Sequence, residues 1–340
     1  QALRAAVNQE RSGSYVPGHP LLDALVARAV AAAGTLPPRL GLVYPCDALA
    51  LDAASRIAAA GLARPILIGP REAITRAADE AGIEVTRFEI VPCDDDPAAS
   101  AHAAAALARD AAVDGLMKGS LHTDTLMAAI VARSAQLRTA RRISHAFVFD
   151  LPRYPKLLAL ADCVINIAPD LAAKRDILGN ALALLHKLGI ARPNVAIVAA
   201  VETVNPAIPA TVDAQALVAE ARSGAWPGAT VEGPCGFDNA FSAEAARTKG
   251  FASEVAGHAD LLLMPDLNAG NMLYKAFVHV GGAECAGLVL GARLPVVLTS
   301  RADSAAARLA SAALAVLAVL EAAAEPDARD AAGRPVKPRA

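Results

Sequence analysis

From Arg39 onward the chain alternates short apolar runs with stretches of helical periodicity, and few folds accommodate that alternation. Residues 40–44, 65–68, 85–91 and 115–117 read as strands, and residues 48–62, 71–81, an alanine-rich stretch after Pro97 and residues 123–137 read as the helices between them. Strand and helix in strict succession require a parallel sheet, because each crossover helix returns the chain to the edge from which the previous strand started. Four such units predict a doubly wound domain. After Arg142 the rhythm changes: residues 143–150 and 163–167 are β-like runs on either side of a loop holding Pro152 and Pro155, which predicts an antiparallel pair. A long helix over 171–188 follows, then strands near 195–199, 230–232 and 261–264. Two closing runs, 287–290 and 296–299, precede an alanine-rich helix over 305–324 that is expected to return to the first unit.

This reading gives an α/β protein with two α/β domains, largely parallel sheets and an interdomain cleft. Residues 1–38 form an N-terminal helix and linker, 39–142 with 290–325 the first domain, 143–289 the second, and 326–340 a loose tail. With 55% hydrophobic residues, 340 positions suffice to bury two cores. No apolar run reaches the ~20 residues of a membrane-spanning helix, so no membrane is expected as partner. The balance of 32 Lys and Arg against 34 Asp and Glu lacks the basic excess that nucleic acid demands, so any phosphate binding must be local. The first ten residues have no signal-peptide core, and the five cysteines are odd in number and scattered. Free thiols in a reducing cytoplasm are the expectation.

In open parallel sheets ligands bind beyond the carboxyl ends of the strands, so four turns carry the functional reading. Residues 299–304 open the last helix with Ser300, Arg301 and Asp303; the arginine fork and the helix N-terminus suit phosphate, while capping accounts equally for Ser and Asp. Residues 265–271 offer the amides of Asn268 and Asn271, with Gly270 permitting close backbone approach and Lys275 in the helix beyond; an ordinary Asx turn fits as well. Residues 233–239 place Asp238 near a helix start. Residues 117–123 collect Lys118, Ser120 and His122 beyond a buried strand. Arg138, Arg141 and Arg142 form a basic cluster before the hairpin that can meet an anionic substrate or solvent. His122 and His145 have no ligand-spaced Cys or carboxylate near them, so no metal is predicted.

Taken in this order the four turns resemble the phosphate acetyl/butyryltransferase family, over most of the chain from Leu40. Residues 201–206 (VETVNP) and 244–250 (EAARTKG) resemble the transferase half of bifunctional enoyl-CoA hydratase/phosphate acetyltransferases. Residues 1–38 are too short to hold the hydratase half, so hydratase activity is not expected. The resemblance implies an isocitrate/isopropylmalate dehydrogenase-like architecture, a homodimer, and transfer of an acetyl-to-butyryl group between coenzyme A and inorganic phosphate. Acyl-CoA and phosphate are then substrates, with no cofactor. It further implies that Ser300 lies near the thiol and the reacting carbonyl, and Arg301 at the phosphate. The family's proposed aspartate base, seven residues after the serine, is Ala307 here, and Met127 stands where acetyltransferases tend to carry arginine. Both departures, with Leu137, Arg138, Thr139 and Ile143, Ser144, His145, resemble the phosphotransbutyrylase branch.

Coenzyme A thiol, like any free thiol, titrates near ~8.5 and needs help to ionise. Asp303 or His145 is expected to assist, or Arg301 to stabilise the anion. Lys118, Ser120, His122, Arg138, Arg142, Asn268, Gly270, Asn271 and Lys275 are the expected substrate-binding residues. Two other readings stay open: an NAD-dependent hydroxyacid decarboxylating dehydrogenase of similar architecture, and a non-catalytic acyl-CoA-binding relative.

Overall fold

The apolar runs become strands of one sheet in the computed structural model, which describes residues 18–300 and 302–320. The strands are β1 (Arg39–Val43), β2 (Arg64–Gly69), β3 (Glu89–Pro92), β4 (Gly115–Lys118), β5 (Ser144–Asp150), β6 (Leu158–Ala161), β7 (Asn194–Val198), β8 (Thr230–Cys235), β9 (Leu261–Leu263), β10 (Glu284–Leu290) and β11 (Val296–Val297). Their order across the eleven-stranded sheet is β3-β2-β1-β4-β11-β10-β5-β6-β9-β7-β8. The first five of that order are mutually parallel, β10 runs against both neighbours, and β5 runs against β6. The last four, parallel to one another, therefore point opposite to the first group.

The helices are α1 (Pro20–Ala33), α2 (Ala48–Ala59), α3 (Arg71–Ala81), α4 (Pro97–Arg109), α5 (Thr123–Val131), α6 (Leu171–Lys187), α7 (Pro209–Arg222), α8 (Phe237–Phe241), α9 (Ala243–Thr248), α10 (Leu267–His279) and α11 (Ala305–Leu320). Alternation along each strand divides its side chains between two faces. On one face a single core runs the length of the sheet, joining Leu51 and Ile57 of α2, Ile177 of α6, Leu217 of α7 and Leu314 of α11. Helix α11 is apolar on nearly every side and accordingly lies buried between α1 and β10. The other face carries two separate cores. One holds Ala104 of α4 with Leu126 and Ile130 of α5; the second holds Phe149 of β5, Leu262 of β9 and Phe277 of α10. A cleft lies between them, over the central strands.

Three elements differ from the sequence expectation. The second strand of the antiparallel pair is β6, not residues 163–167. Asp162 Oδ1 accepts the backbone N–H groups of Val164 (2.8 Å) and Ile165 (3.0 Å), and this Asx turn takes the chain out of the sheet. Residues 85–88 form a turn, with Phe88 N–H donating to Val85 O at 3.0 Å, so β3 begins only at Glu89. Helix α5 stops at Val131 because Ala132 adopts ψ 139°, and a short 3-10 turn follows. The stretch of the last helix beyond Leu320 and the tail at 326–340 lie outside the described residues, as do residues 1–17.

Candidate active site

A cavity of about 400 Å³ occupies the cleft. Leu121 and Leu298 reach it from one core, Phe147, Val164 and Tyr274 from the other. The turn after β4 forms one wall. Gly119 is required there, because a Cβ would stand 2.5 Å from Val43 O and 2.6 Å from Tyr44 O. That proximity lets Gly119 N–H donate to Val43 O (2.9 Å) and Ser120 N–H to Tyr44 O (3.0 Å). Ser120 Oγ donates to Tyr44 O at 2.8 Å and accepts from Cys46 N–H at 3.1 Å, so this hydroxyl ties two loops together. Lys118 Nζ donates to the carbonyls of Gly119 (3.2 Å) and Leu121 (3.1 Å) while its chain lines the cavity. Among the described residues no side chain caps α5, so its first-turn N–H groups leave partial positive charge at this end, and the exposed His122 stands just before them.

The turn after β11 forms the facing wall. Asp303 Oδ2 accepts Ser300 N–H at 2.7 Å, and Ser300 Oγ accepts Ala302 N–H at 3.2 Å. The N-cap of α11 is Ser304, whose Oγ accepts Ala307 N–H at 2.9 Å and donates to Glu284 Oε2 at 2.6 Å. Capping thus explains Ser304 and leaves Ser300 and Asp303 facing the cavity. Burial raises the Asp303 carboxyl above the ordinary carboxylate range; the Ser300 N–H and the charge of Arg308 pull it down, Glu284 pushes it up, and Lys118 opposes. Arg308, only 6% exposed, lines the same wall. Its Nη2 donates to Ser300 O at 2.6 Å and its Nε to Asp303 O at 3.4 Å.

Strand β5 supplies the floor, since His145 and Phe147 are two residues apart and share a face. Their rings meet edge-on at 4.5 Å, and Phe147 stacks on Tyr274 of α10 at 4.3 Å and 13°. Gly287 faces Phe147 across β10; a Cβ there would lie 2.8 Å from the Phe147 ring and 3.0 Å from the His145 ring. His145 is 1% exposed and its Nδ1 has no hydrogen-bond partner among the described residues. Burial pushes the imidazole pKa down to about 4 against the opposing charge of Asp162, so His145 is neutral at pH 7. Burial likewise pushes the Tyr274 hydroxyl up to about 12.

Of the residues singled out from sequence, Lys118, Ser120, His122, His145, Lys275, Ser300 and Asp303 line this one cavity. Arg301 lies outside the described residues. Asn268, Gly270 and Asn271 do not line the cavity; Asn268 is exposed, and Gly270 and Asn271 dock α10. Asp266 caps that helix through Ala269 N–H (3.0 Å), a Cβ at Gly270 would stand 2.6 Å from Asp162 O, and Asn271 Nδ2 donates to Cys163 O at 3.2 Å. The close backbone approach expected at Gly270 is therefore to the protein's own chain, and it sets Tyr274 one turn later against Phe147. Arg138 and Arg142 also lie off the cavity wall. Arg138 bridges Ala292, and Arg142 donates from its backbone to Asp176 Oδ2 at 2.9 Å and from Nη1 to Asn166 Oδ1 at 3.4 Å. The 233–239 turn belongs to the far edge of the sheet, where Lys249 Nζ joins Glu202 and Asp238 at 2.8 Å each.

Arg308 and Phe147 escaped the sequence reading. Arg308 left one signal, as the single charged residue of an otherwise apolar and hydroxyl-bearing α11; Phe147 looked like any strand residue. Among the described residues no group of three or more His, Cys, Asp or Glu side chains is placed to hold a metal ion.

A family model described as phosphate acetyl/butaryl transferase matches residues 98–316. The phosphate acetyltransferase of Rhizobium meliloti is 50% identical over 291 residues, which cover 85% of this chain and 92% of that protein. The solved branched-chain phosphotransacylase of Enterococcus faecalis V583 is 30% identical with a TM-score of 0.74, over 83% of this chain and 99% of that one. The 4-hydroxythreonine-4-phosphate dehydrogenase of Klebsiella pneumoniae, 15% identical with a TM-score of 0.52 over 83% of this chain and 99% of its own, shares the fold alone. The dehydrogenase-like architecture is thus present, while the sequence similarity lies with the transferases. Matched over most of its length by the family model and by a half-identical relative, the chain belongs to the phosphate acetyl/butyryl transferase family and is an acyltransferase.

Proposed function

We propose that the cavity exchanges a short acyl group, acetyl to butyryl, between coenzyme A and inorganic phosphate, with coenzyme A entering as substrate and no cofactor or metal taking part. The observation that carries this reading is the Ser300–Asp303 turn, where a hydroxyl and a carboxylate stand together on a wall that also bears Arg308 and faces Lys118. Asp303 receives the thiol proton: burial makes it a stronger base than a free aspartate, and it occupies the cavity that Ala307, buried in α11, does not reach. The thiolate sulfur attacks the carbonyl of the acyl phosphate, the new C–S bond forms as the C–O bond to phosphate breaks, and phosphate departs with the electron pair. Ser300 Oγ–H supports the oxygen on which charge develops, while Lys118, the N-terminus of α5 and, by family resemblance, Arg301 accommodate the phosphate charge. His145 is a neutral brace for Phe147 rather than a cation.

The opposed directions of the two parallel strand groups support a division into the domains 39–142 with 290–325 and 143–289, with the cleft between them. Exposed Met272 and Val280 near the outer side of α10 support a homodimer. No helix among the described residues is long and apolar enough to cross a membrane, and all five cysteines are free thiols, which supports a cytoplasmic setting. The test is a phosphate-dependent thiol-release assay over acetyl-, propionyl- and butyryl-CoA. Release that requires phosphate supports the reading; thioester loss at the same rate without phosphate, or none with any of the three, rejects it.

A further inference from the structure

Helix α11 carries one charge, Arg308, among alanine, leucine, valine and serine. The side chain is 6% exposed, yet it pairs with no carboxylate among the described residues. A guanidinium has five N–H donors, and the contacts in the structure are one from Nη2 to Ser300 O and one from Nε to Asp303 O. Nη1 has no hydrogen-bond partner among the described residues, and it is absent from the sealed, unpartnered polar atoms. It is therefore not sealed off from solvent, and Arg308 lines the cavity. Burying a cation is costly, and two carbonyl contacts with the more distant charge of Asp303 offset that only in part. An anion with several oxygens, in the plane of the fork, completes the site.

We propose that Arg308 is a phosphate-contacting residue of the transfer reaction, whose fork holds phosphoryl oxygens while its bond to the Ser300 carbonyl keeps them in register with the Ser300 hydroxyl. This inference rests on the phosphate acyltransferase reading. The ligand chemistry is a phosphate group, either inorganic phosphate or the phosphates of coenzyme A. The short distance from Arg308 to the Ser300 turn, at the reacting end of the cavity, favours the former.

The experiment measures binding of inorganic phosphate and, separately, of coenzyme A to the wild-type full chain, R308Q and R308K by calorimetric titration at constant ionic strength, together with KM for each substrate. R308Q is expected to bind phosphate at least tenfold more weakly and to raise the phosphate KM in proportion, with coenzyme A affinity within twofold. Unchanged phosphate affinity in folded R308Q, or a loss confined to coenzyme A, overturns the proposal, as does absence of phosphate binding by the wild type. Should R308Q fail to fold, R308K decides: a point charge in place of the fork is expected to weaken phosphate at least threefold, and wild-type affinity overturns the idea. A wild type that binds phosphate, loses that binding in R308Q and yet releases no thiol from any acyl-CoA sinks the transferase reading while leaving the anion site intact.

Discussion

The carboxylate of Asp303 accepts the backbone N–H of Ser300 at 2.7 Å, which fixes a base and a hydroxyl on one turn at the mouth of the buried helix α11. One Asp303 oxygen is engaged by the backbone; the other has no hydrogen bond among the described residues and is the atom proposed to take the thiol proton.

Replacing Asp303 by Asn keeps the acceptor for Ser300 N–H and removes the base. Turnover is expected to fall by roughly 100-fold or more. Because burial raises the folded-state pKa of Asp303, its ionised form opposes folding as pH rises through that value, so D303N should be no less stable than wild type at pH 7. Thermal melts alongside thiol-release rates check both halves; a D303N enzyme with wild-type turnover removes Asp303 from the chemistry. The acid limb of the wild-type kcat/KM profile should also lie above the ordinary aspartate value.

Ser300→Ala removes the proposed donor without touching the carbonyl that Arg308 holds. A lost oxyanion donor is worth ~3 kcal/mol, so kcat should drop on the order of 100-fold with little change in the KM for acyl-CoA. Steady-state kinetics decide, and an unaltered kcat rejects the role.

His145 is buried neutral, with its pKa pushed down to about 4 from an ordinary 6.5. The unfolded chain therefore binds more protons than the folded one between those values, and stability rises with pH across that window. Acidification from above 6.5 to below 4 is expected to cost ~3 kcal/mol through this group. Urea titrations of wild type and His145→Gln at pH 7 and pH 4.5 test it: the difference between the two proteins should shrink at the lower pH, and a constant difference refutes the assignment.

Gly270→Ala puts a Cβ 2.6 Å from the Asp162 carbonyl. The backbone must yield, at a cost of ~1–3 kcal/mol, and the displaced α10 should disturb the Tyr274–Phe147 stack. Chemical denaturation should show the loss, and the KM for acyl-CoA should rise more than the KM for phosphate.

Part of the cavity lining is legible in the sequence alone. The strand-to-helix turns at 117–123 and 299–304 announce themselves by hydroxyl and charged residues directly after apolar runs, and both line the cavity. The turns at 233–239 and 265–271 carry the same kind of residues, yet their polar groups serve an edge salt-bridge cluster and a helix docking joint. Composition cannot separate the two uses, because a cap, a joint and a ligand contact are made by the same side-chain chemistry. Residues 163–167 read as a strand because they are apolar, but the Asx turn of Asp162 takes precedence over that pattern.

Local chemistry in the chain set the order of strands and helices, the glycine at 119, the caps at Asp266 and Ser304, and the all-apolar character of α11 that marks it for burial. Tertiary structure alone decided which turns meet. The two parallel groups run oppositely and are joined through β10 and β5, so one sheet face carries two cores with a gap between them. Convergence on that gap depends on strand order and on the contacts of residues such as Ser300 and Phe147 with distant partners, and periodicity along a single chain does not encode either.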